Sequence, residues 1–132
     1  MFKTPEGQAR YFAAYDATLA LWPVAVESVD VPTRFGNTHI NVCGPEDAPP
    51  LVLLPGQAVS STMWYPNIAA MSRPYRVYAP DIIGDMGKSV RTRPGMSSSD
   101  FGMWLTDVFD ELQLNQAHVA VREAQLDAIR LL

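Results

Sequence analysis

The feature that most constrains the fold is a short apolar run, Leu51 to Leu54, that ends abruptly at Pro55-Gly56. Four consecutive apolar residues without alternation favour a strand that is covered on both faces, as in a parallel sheet. Pro55 cannot donate a hydrogen bond within a sheet and therefore ends the strand, and Gly56 permits a sharp turn. Ligands of α/β proteins bind at the carboxyl ends of such strands, so this loop is the first candidate site.

The residues that follow the glycine loop predict a helix that ends near Met71. Ser60 and Ser61 offer capping hydroxyls, and Trp64, Ile68 and Met71 recur at helical spacing. The two serines are also possible nucleophiles, but no base is placed beside them in the sequence. Helix capping is therefore the favoured interpretation of both hydroxyls.

Composition limits the class of protein. The chain has 132 residues, of which 48% are hydrophobic and 18% charged, as in an ordinary globular protein with one domain. A net charge of -4 without a basic stripe argues against nucleic-acid binding. We see no signal peptide and no apolar run of roughly 20 residues, so we expect a cytoplasmic protein without a membrane span. A single cysteine, Cys43, excludes an internal disulfide and a multi-cysteine metal site, and we expect neither a metal nor a cofactor.

The first 23 residues predict a helical appendage. Thr4 is a suitable cap, Pro5 suits the first helical position, and Pro23 ends the helix. One face of this helix carries a largely aromatic stripe, Tyr11, Tyr15, Thr18 and Trp22. Core packing is the favoured interpretation of this stripe, and a ligand-binding surface is the alternative.

Two alternating segments, Glu27 to Thr33 and Thr38 to Cys43, predict an antiparallel hairpin at a sheet edge. The turn chemistry between them is supplied by Phe35-Gly36-Asn37. His39 and Cys43 share one strand face but stand about 13 Å apart, which is too far for a nucleophile and its base. They are interpreted as half-buried strand residues.

A second short apolar strand, Arg76 to Asp81, leads into the loop Asp81 to Ser89. The end of this loop suggests a phosphate-binding loop, but Ile82 stands where that motif requires glycine. Nucleotide binding is therefore not favoured.

The last third of the chain predicts helix, strand and helix. Ser99 or Asp100 would cap a helix whose apolar stripe consists of Phe101, Leu105, Val108, Phe109 and Leu112. His118 to Val121 is predicted as a strand, and Glu123 to Leu132 as a helix. The order of elements predicts an α/β fold: a mostly parallel sheet of about five strands with an antiparallel edge hairpin and helices on both faces.

Three features together resemble the amino-terminal half of the α/β-hydrolase fold family, in its esterase- and lipase-like form, from about Glu27 to Ala120. They are the edge hairpin, the strand ending in Leu53-Leu54-Pro55-Gly56-Gln57, and the segment Asp81 to Ser89, which is similar to the family's Asp-x-x-Gly-x-Gly-x-Ser. The resemblance divides the single domain 1–132 into an appendage at 1–23, a hydrolase-like core at 27–120 and an atypical helix at 121–132.

The resemblance implies acyl-transfer chemistry by a Ser-His-Asp triad, with two backbone N–H groups that stabilise the oxyanion. One donor would come from the loop after Gly56, so the Gln57 backbone is the candidate. Gly56 would keep side-chain bulk away from the carbonyl.

The nucleophile turn departs from the family pattern. Where the family has Gly-x-Ser-x-Gly, this chain has Val121-Arg122-Glu123-Ala124-Gln125, and Glu123 occupies the position of the serine. Neither His39 nor His118 replaces the triad histidine by sequence position. No catalytic nucleophile is therefore identified.

These observations predict a truncated or rearranged hydrolase with little activity alone. An exposed edge on its last strand would pair with a second copy or with a complementing chain. Two alternatives remain open: a working hydrolase whose missing groups come from another chain or from Glu123, and a non-catalytic module that binds an ester-like small molecule or a protein.

Overall fold

The computed structural model describes residues 2–56, 58–92 and 97–121. A mixed β-sheet forms its centre, and helices lie on both faces. The strands are β1 Glu27–Thr33, β2 Gly36–Cys43, β3 Pro50–Leu54, β4 Arg76–Pro80, β5 Val90–Arg91 and β6 His118–Val121. The helices are α1 Pro5–Leu19, a 3₁₀ turn Ser61–Trp64, α2 Ile68–Met71 and α3 Ser98–Glu111.

The sheet order is β1-β2-β4-β3-β6, and β5 pairs with β2 near the hairpin turn. β3 lies between β4 and β6 and is parallel to both. β2 is antiparallel to β1, β4 and β5, so the other described strands all run in one direction. The predicted mostly parallel sheet with an antiparallel edge hairpin is therefore confirmed.

Strand β3 is covered on both faces, as its unbroken apolar run predicts. Val52 and Leu54 belong to a core cluster with α3, while Leu51 and Leu53 belong to a second cluster on the opposite face. Of these four residues the most exposed is Leu51, at 7%. The helices therefore pack on the two sides of a shared central strand, as in α/β folds generally.

Helix α3 follows its predicted apolar stripe but begins earlier than expected. Its cap is Ser97, whose side chain accepts from the Asp100 N–H while the Asp100 carboxylate accepts from Ser97. The predicted caps Ser99 and Asp100 are therefore wrong, because this reciprocal box places the cap two or three residues sooner. Trp104 is fully buried, and its indole N–H donates to Thr38 Oγ1 at 2.8 Å.

The helix predicted after the glycine loop is two pieces. A 3₁₀ turn, Ser61–Trp64, is followed by the four-residue α2, and Pro66 stands between them. Proline has no N–H to donate, so a continuous helix through this position would lose a hydrogen bond. Helix α1 likewise ends at Leu19, before the predicted stop at Pro23.

The hairpin turn lies one residue earlier than predicted, because Thr33 pairs with Gly36. A side chain at Gly36 would lie 2.0 Å from the Val90 carbonyl oxygen, and its φ is +131°. Glycine is therefore required here because β5, which the sequence did not predict as a strand, packs directly against this backbone.

Candidate active site

Two loops meet at the carboxyl edge of the parallel strands. One follows β3 and contains Pro55 and Gly56, and the other follows β4 and runs from Asp81 to Ser89. β3 and β4 are neighbours, so their carboxyl ends bring the two loops together. This is the edge at which α/β proteins bind ligands.

Asp81 connects the two loops through a fully buried carboxylate. Its Oδ1 accepts from the Ser61 N–H at 2.7 Å. Its Oδ2 accepts from the Tyr15 hydroxyl at 2.7 Å and from the Lys88 N–H at 2.9 Å. Three donors from helix α1 and both loops meet at this carboxylate, so Asp81 orders the loops.

Tyr15 and Asn41 extend the network from helix α1 to strand β2. The Asn41 side-chain amide donates to the Tyr15 hydroxyl at 2.8 Å and to Ser61 Oγ at 3.0 Å. Burial, with the nearby Asp81 charge, raises the pKa of the Tyr15 phenol far above its ordinary value. The phenol therefore stays protonated and donates a hydrogen bond to Asp81.

The last residues of the Asp81 loop close it against β2. Ser89 Oγ donates to the Asp81 carbonyl oxygen at 2.8 Å and accepts from the His39 N–H at 2.8 Å. A side chain at Gly87 would lie 2.4 Å from Asp81 Cγ, at a φ of +125°. Asp81, Gly87 and Ser89 of the Asp81 to Ser89 segment thus contact one another in one compact loop, which accounts for these residue types.

The glycine loop is held by its flanking amides. The Gly56 N–H donates to Met63 Sδ at 3.4 Å, and the Ala58 N–H donates to both Asp85 carboxylate oxygens at 3.2 Å. Ala58 has a φ of +61°. Gln57, the predicted oxyanion donor, lies outside the described residues, and the oxyanion roles of Gly56 and Gln57 stay predictions.

The two serines beside this loop have different roles. Ser60 is the cap of the 3₁₀ turn, accepting from the Thr62 N–H at 3.3 Å, as predicted. The Ser61 hydroxyl is fully buried and contacts Asn41 and Tyr15, so it is part of the network and not a cap.

His39 and Cys43 lie on β2 and His118 lies on β6, as predicted, but His39 and Cys43 are buried and not half-buried. His39 Nδ1 is 2.9 Å from Asp30 Oδ1 on the hairpin, and the His118 ring packs on Tyr75. Burial raises the pKa of the Cys43 thiol to about 11, so the thiol is protonated at neutral pH. No described group of three or more His, Cys, Asp or Glu side chains is arranged to hold a metal.

Strand β6 brings the chain to the same edge, because Val121 pairs with Leu54 at the end of β3. Glu123, predicted at the nucleophile position, lies outside the described residues, as does the predicted helix Glu123 to Leu132. Within the described ranges, no helix is long and apolar enough to span a membrane.

Sequence reasoning missed Tyr15, Asn41 and Asp85. Tyr15 was interpreted only as part of an aromatic stripe, although its hydroxyl requires a partner when buried. Asn41 falls on a strand whose other residues are apolar at alternate positions, and a buried amide there indicates a polar network. Asp85 gave no local signal, because its partner Ala58 is distant in sequence.

Comparison with known proteins identifies relatives of this chain. No family model matches it. It is 51% identical over 119 residues to the carboxylesterase YbfK of Bacillus subtilis, a match that covers 90% of this chain and 40% of the relative.

Two solved structures agree with this relationship. The carboxylesterase CesB (YbfK) of Bacillus subtilis superposes with a TM-score of 0.88 at 50% identity, over 92% of this chain and 42% of that one. The naproxen esterase of Bacillus subtilis superposes with a TM-score of 0.86 at 49% identity, over 92% and 42% of the two chains. The chain thus spans about two fifths of the length of these relatives.

Proposed function

We propose that this chain, which has the amino-terminal half of the α/β-hydrolase fold and is related to bacterial carboxylesterases, supplies the oxyanion side of an ester-hydrolysing site. The observation that carries the proposal is the fixed meeting of the β3 and β4 loops at the carboxyl edge of the sheet. A preorganised backbone donor at such an edge stabilises the negative charge that develops on an ester carbonyl.

The backbone N–H of Gln57 is the proposed donor. The amides on either side of it are engaged within the protein, Gly56 by Met63 and Ala58 by Asp85. Position 57 lies between these two engaged amides, and its own N–H is the one we propose for a substrate carbonyl. A substrate oxygen bound there would lie beside the end of β6, where the hydrolase family places its nucleophile.

These 132 residues contain no Gly-x-Ser-x-Gly sequence. We therefore infer that the nucleophilic serine, with the triad acid and base, comes from a segment outside them, and that this chain has little activity alone. The outer edge of β6 has no pairing strand among the described residues. Such an edge is suited to pair with a complementing chain or a second copy.

The expected substrate is a small ester with an apolar acyl group. Val59 and Met86 are 37% and 40% exposed and follow the two residues, Ala58 and Asp85, that join the loops. Apolar side chains at the mouth of the site favour an apolar substrate, and the naproxen esterase relative agrees with this class.

A chimera tests the function directly. The matched part of YbfK is replaced by this chain, and hydrolysis of p-nitrophenyl acetate is measured beside YbfK itself and the 132-residue chain alone. We expect saturable turnover from the chimera and none above buffer from the chain alone. A chimera that folds but is inactive contradicts the proposal. If the 132-residue chain alone shows turnover and Glu123→Ala abolishes it, the inference that the nucleophilic serine lies outside this chain is wrong.

A non-catalytic binding module is the second candidate, favoured by the apolar residues at the mouth. Thermal stabilisation of the 132-residue chain by p-nitrophenyl butyrate without turnover, together with an inactive chimera, would support it. Light scattering on the same sample measures the mass, and a monomer would count against pairing through β6.

A further inference from the structure

We propose that Asp85 is a positioning residue for the oxyanion loop. Its carboxylate holds the amide of Ala58, the residue directly after the proposed donor Gln57. The catalytic part of this inference rests on the proposed function, whereas the loop-holding part concerns the chain itself.

The carboxylate is placed by its own loop before it reaches the other one. The Asp85 N–H donates to the Ile82 carbonyl oxygen at 3.0 Å, and Asp85 Oδ1 accepts from the Met86 N–H at 2.8 Å. Both carboxylate oxygens lie 3.2 Å from the Ala58 nitrogen. Asp85 therefore presents a fixed negative group to a single amide of the glycine loop.

Ala58 needs such a partner because its backbone is in the left-handed region, with a φ of +61°. A residue with a Cβ adopts this conformation only where its surroundings impose it. A charge-assisted hydrogen bond to the Ala58 N–H is a direct means of imposing it. Without the carboxylate, we expect the peptide groups around Ala58 to relax.

Asp85 and Asp81 together hold the loop at two points. Asp81 accepts from the Ser61 N–H at 2.7 Å, three residues beyond the amide that Asp85 holds. The two carboxylates stand four residues apart on one loop and bracket 58–61 of the other. The proposed donor at position 57 directly precedes this bracketed segment in the sequence, so we expect the bracket to position it.

The two carboxylates differ in what their removal would disturb. Asp81 is fully buried, whereas Asp85 is only partly buried and lies at the surface of the site. Removal of the Asp85 carboxylate should therefore release the loop without unfolding the core. Asp85 variants can therefore change the geometry of the glycine loop with little change in the free energy of unfolding of the whole protein.

The first experiment measures hydrogen exchange of the Ala58 amide by NMR in the 132-residue chain. Asp85→Ala should speed this exchange by about tenfold or more, because a charge-assisted bond is lost. Asp85→Asn retains an oxygen acceptor, so its Ala58 exchange rate should lie between those of the wild type and Asp85→Ala. The matched control is Asp47→Ala, a change in the exposed loop that precedes β3, at the end of that strand opposite the glycine loop. Unchanged Ala58 exchange in Asp85→Ala overturns the proposal.

The second experiment makes the same changes in the chimera with YbfK. Asp85→Ala should lower kcat about tenfold to a hundredfold with KM nearly unchanged, because the donor is misplaced in the transition state. Asp85→Asn should recover part of kcat. A purely structural role would not lower kcat while leaving KM nearly unchanged. An unchanged kcat overturns the proposal. If the unmodified chimera is inactive, the proposed function is wrong. The hydrogen exchange of the Ala58 amide then tests the loop-holding role by itself.

Discussion

Helices α1 and α3 are nearly equal in length but are attached to the sheet in different ways. They have 15 and 14 residues, and each is preceded by a residue, Thr4 or Ser97, whose hydroxyl caps the first turn. In α1 the buried residue is Tyr15 alone. In α3 the buried residues are Phe101, Gly102, Trp104, Leu105 and Val108.

The difference shows which part of the protein each helix stabilises. Helix α3 is held by apolar area, which stabilises in proportion to burial and depends little on direction. Helix α1 is held by directed contacts to one loop: the Tyr15 hydroxyl binds Asp81, and Asp16 forms an ion pair with Lys88 at 2.6 Å. Helix α3 therefore stabilises the sheet, while α1 stabilises the loop that carries the candidate site.

The largest effect is expected on the α3 side. Trp104→Ala removes a fully buried side chain and leaves Thr38 without its indole donor, which should lower the free energy of unfolding by about 3–5 kcal/mol. Urea unfolding followed by circular dichroism measures it. Trp104→Phe is the control and should cost less. A loss below about 1 kcal/mol for the alanine variant would mean that α3 is not the main apolar support.

On the α1 side, Tyr15→Phe should lower the free energy of unfolding by about 1–3 kcal/mol, because Asp81 loses a buried donor. The difference between the helices is tested locally by hydrogen exchange. The amides of α1 should exchange faster in this variant while those around Trp104 keep their rates. Equal acceleration in both helices would show that the two attachments are not independent.

Alkaline pH should weaken the α1 attachment selectively. The pKa of Tyr15 is raised from an ordinary 10.0, first by burial and then by the Asp81 charge. Above about pH 10 the unfolded chain releases this proton while the folded protein retains it, so stability present below pH 10 is lost as pH rises. Urea midpoints between pH 9 and 12 should fall more steeply for the wild type than for Tyr15→Phe. Burial also raises the pKa of Tyr11, which remains in both proteins. Parallel slopes would contradict the assignment.

The smallest effect is expected from the ion pair of α1. The Asp16 and Lys88 side chains are 62% and 25% exposed, so solvent screens their attraction. A double-mutant cycle of Asp16→Ala and Lys88→Met should give a coupling below about 1 kcal/mol that decreases with added salt. A larger, salt-independent coupling would make this pair, and not Tyr15, the main attachment.

The sheet could be predicted from the sequence because its signals are local. The apolar run before Pro55, the alternation of the hairpin and the stripe of α3 each fix an element within a few residues. Strand β6 was predicted with its observed bounds, His118–Val121. The Asp81 loop was found through a resemblance, and its structure supplies the physical reason.

The rest could not be predicted because it depends on contacts between distant residues. Tyr15 and Asp81 are separated by 66 residues, and Ala58 and Asp85 by 27. Strand β5 is two residues long and forms only because Gly36 admits its backbone. Periodicity records burial along one element and carries no information on which buried hydroxyl meets which carboxylate.

The absence of space beside Gly87 has a consequence for laboratory evolution. A library that varies the Asp81 loop at this position would displace the aspartate that orders both loops, so most of its members would lose the site's architecture. Met86, one residue earlier, is exposed. Tolerated substitutions should therefore accumulate at the exposed residues Met86 and Val59, while the glycine stays fixed.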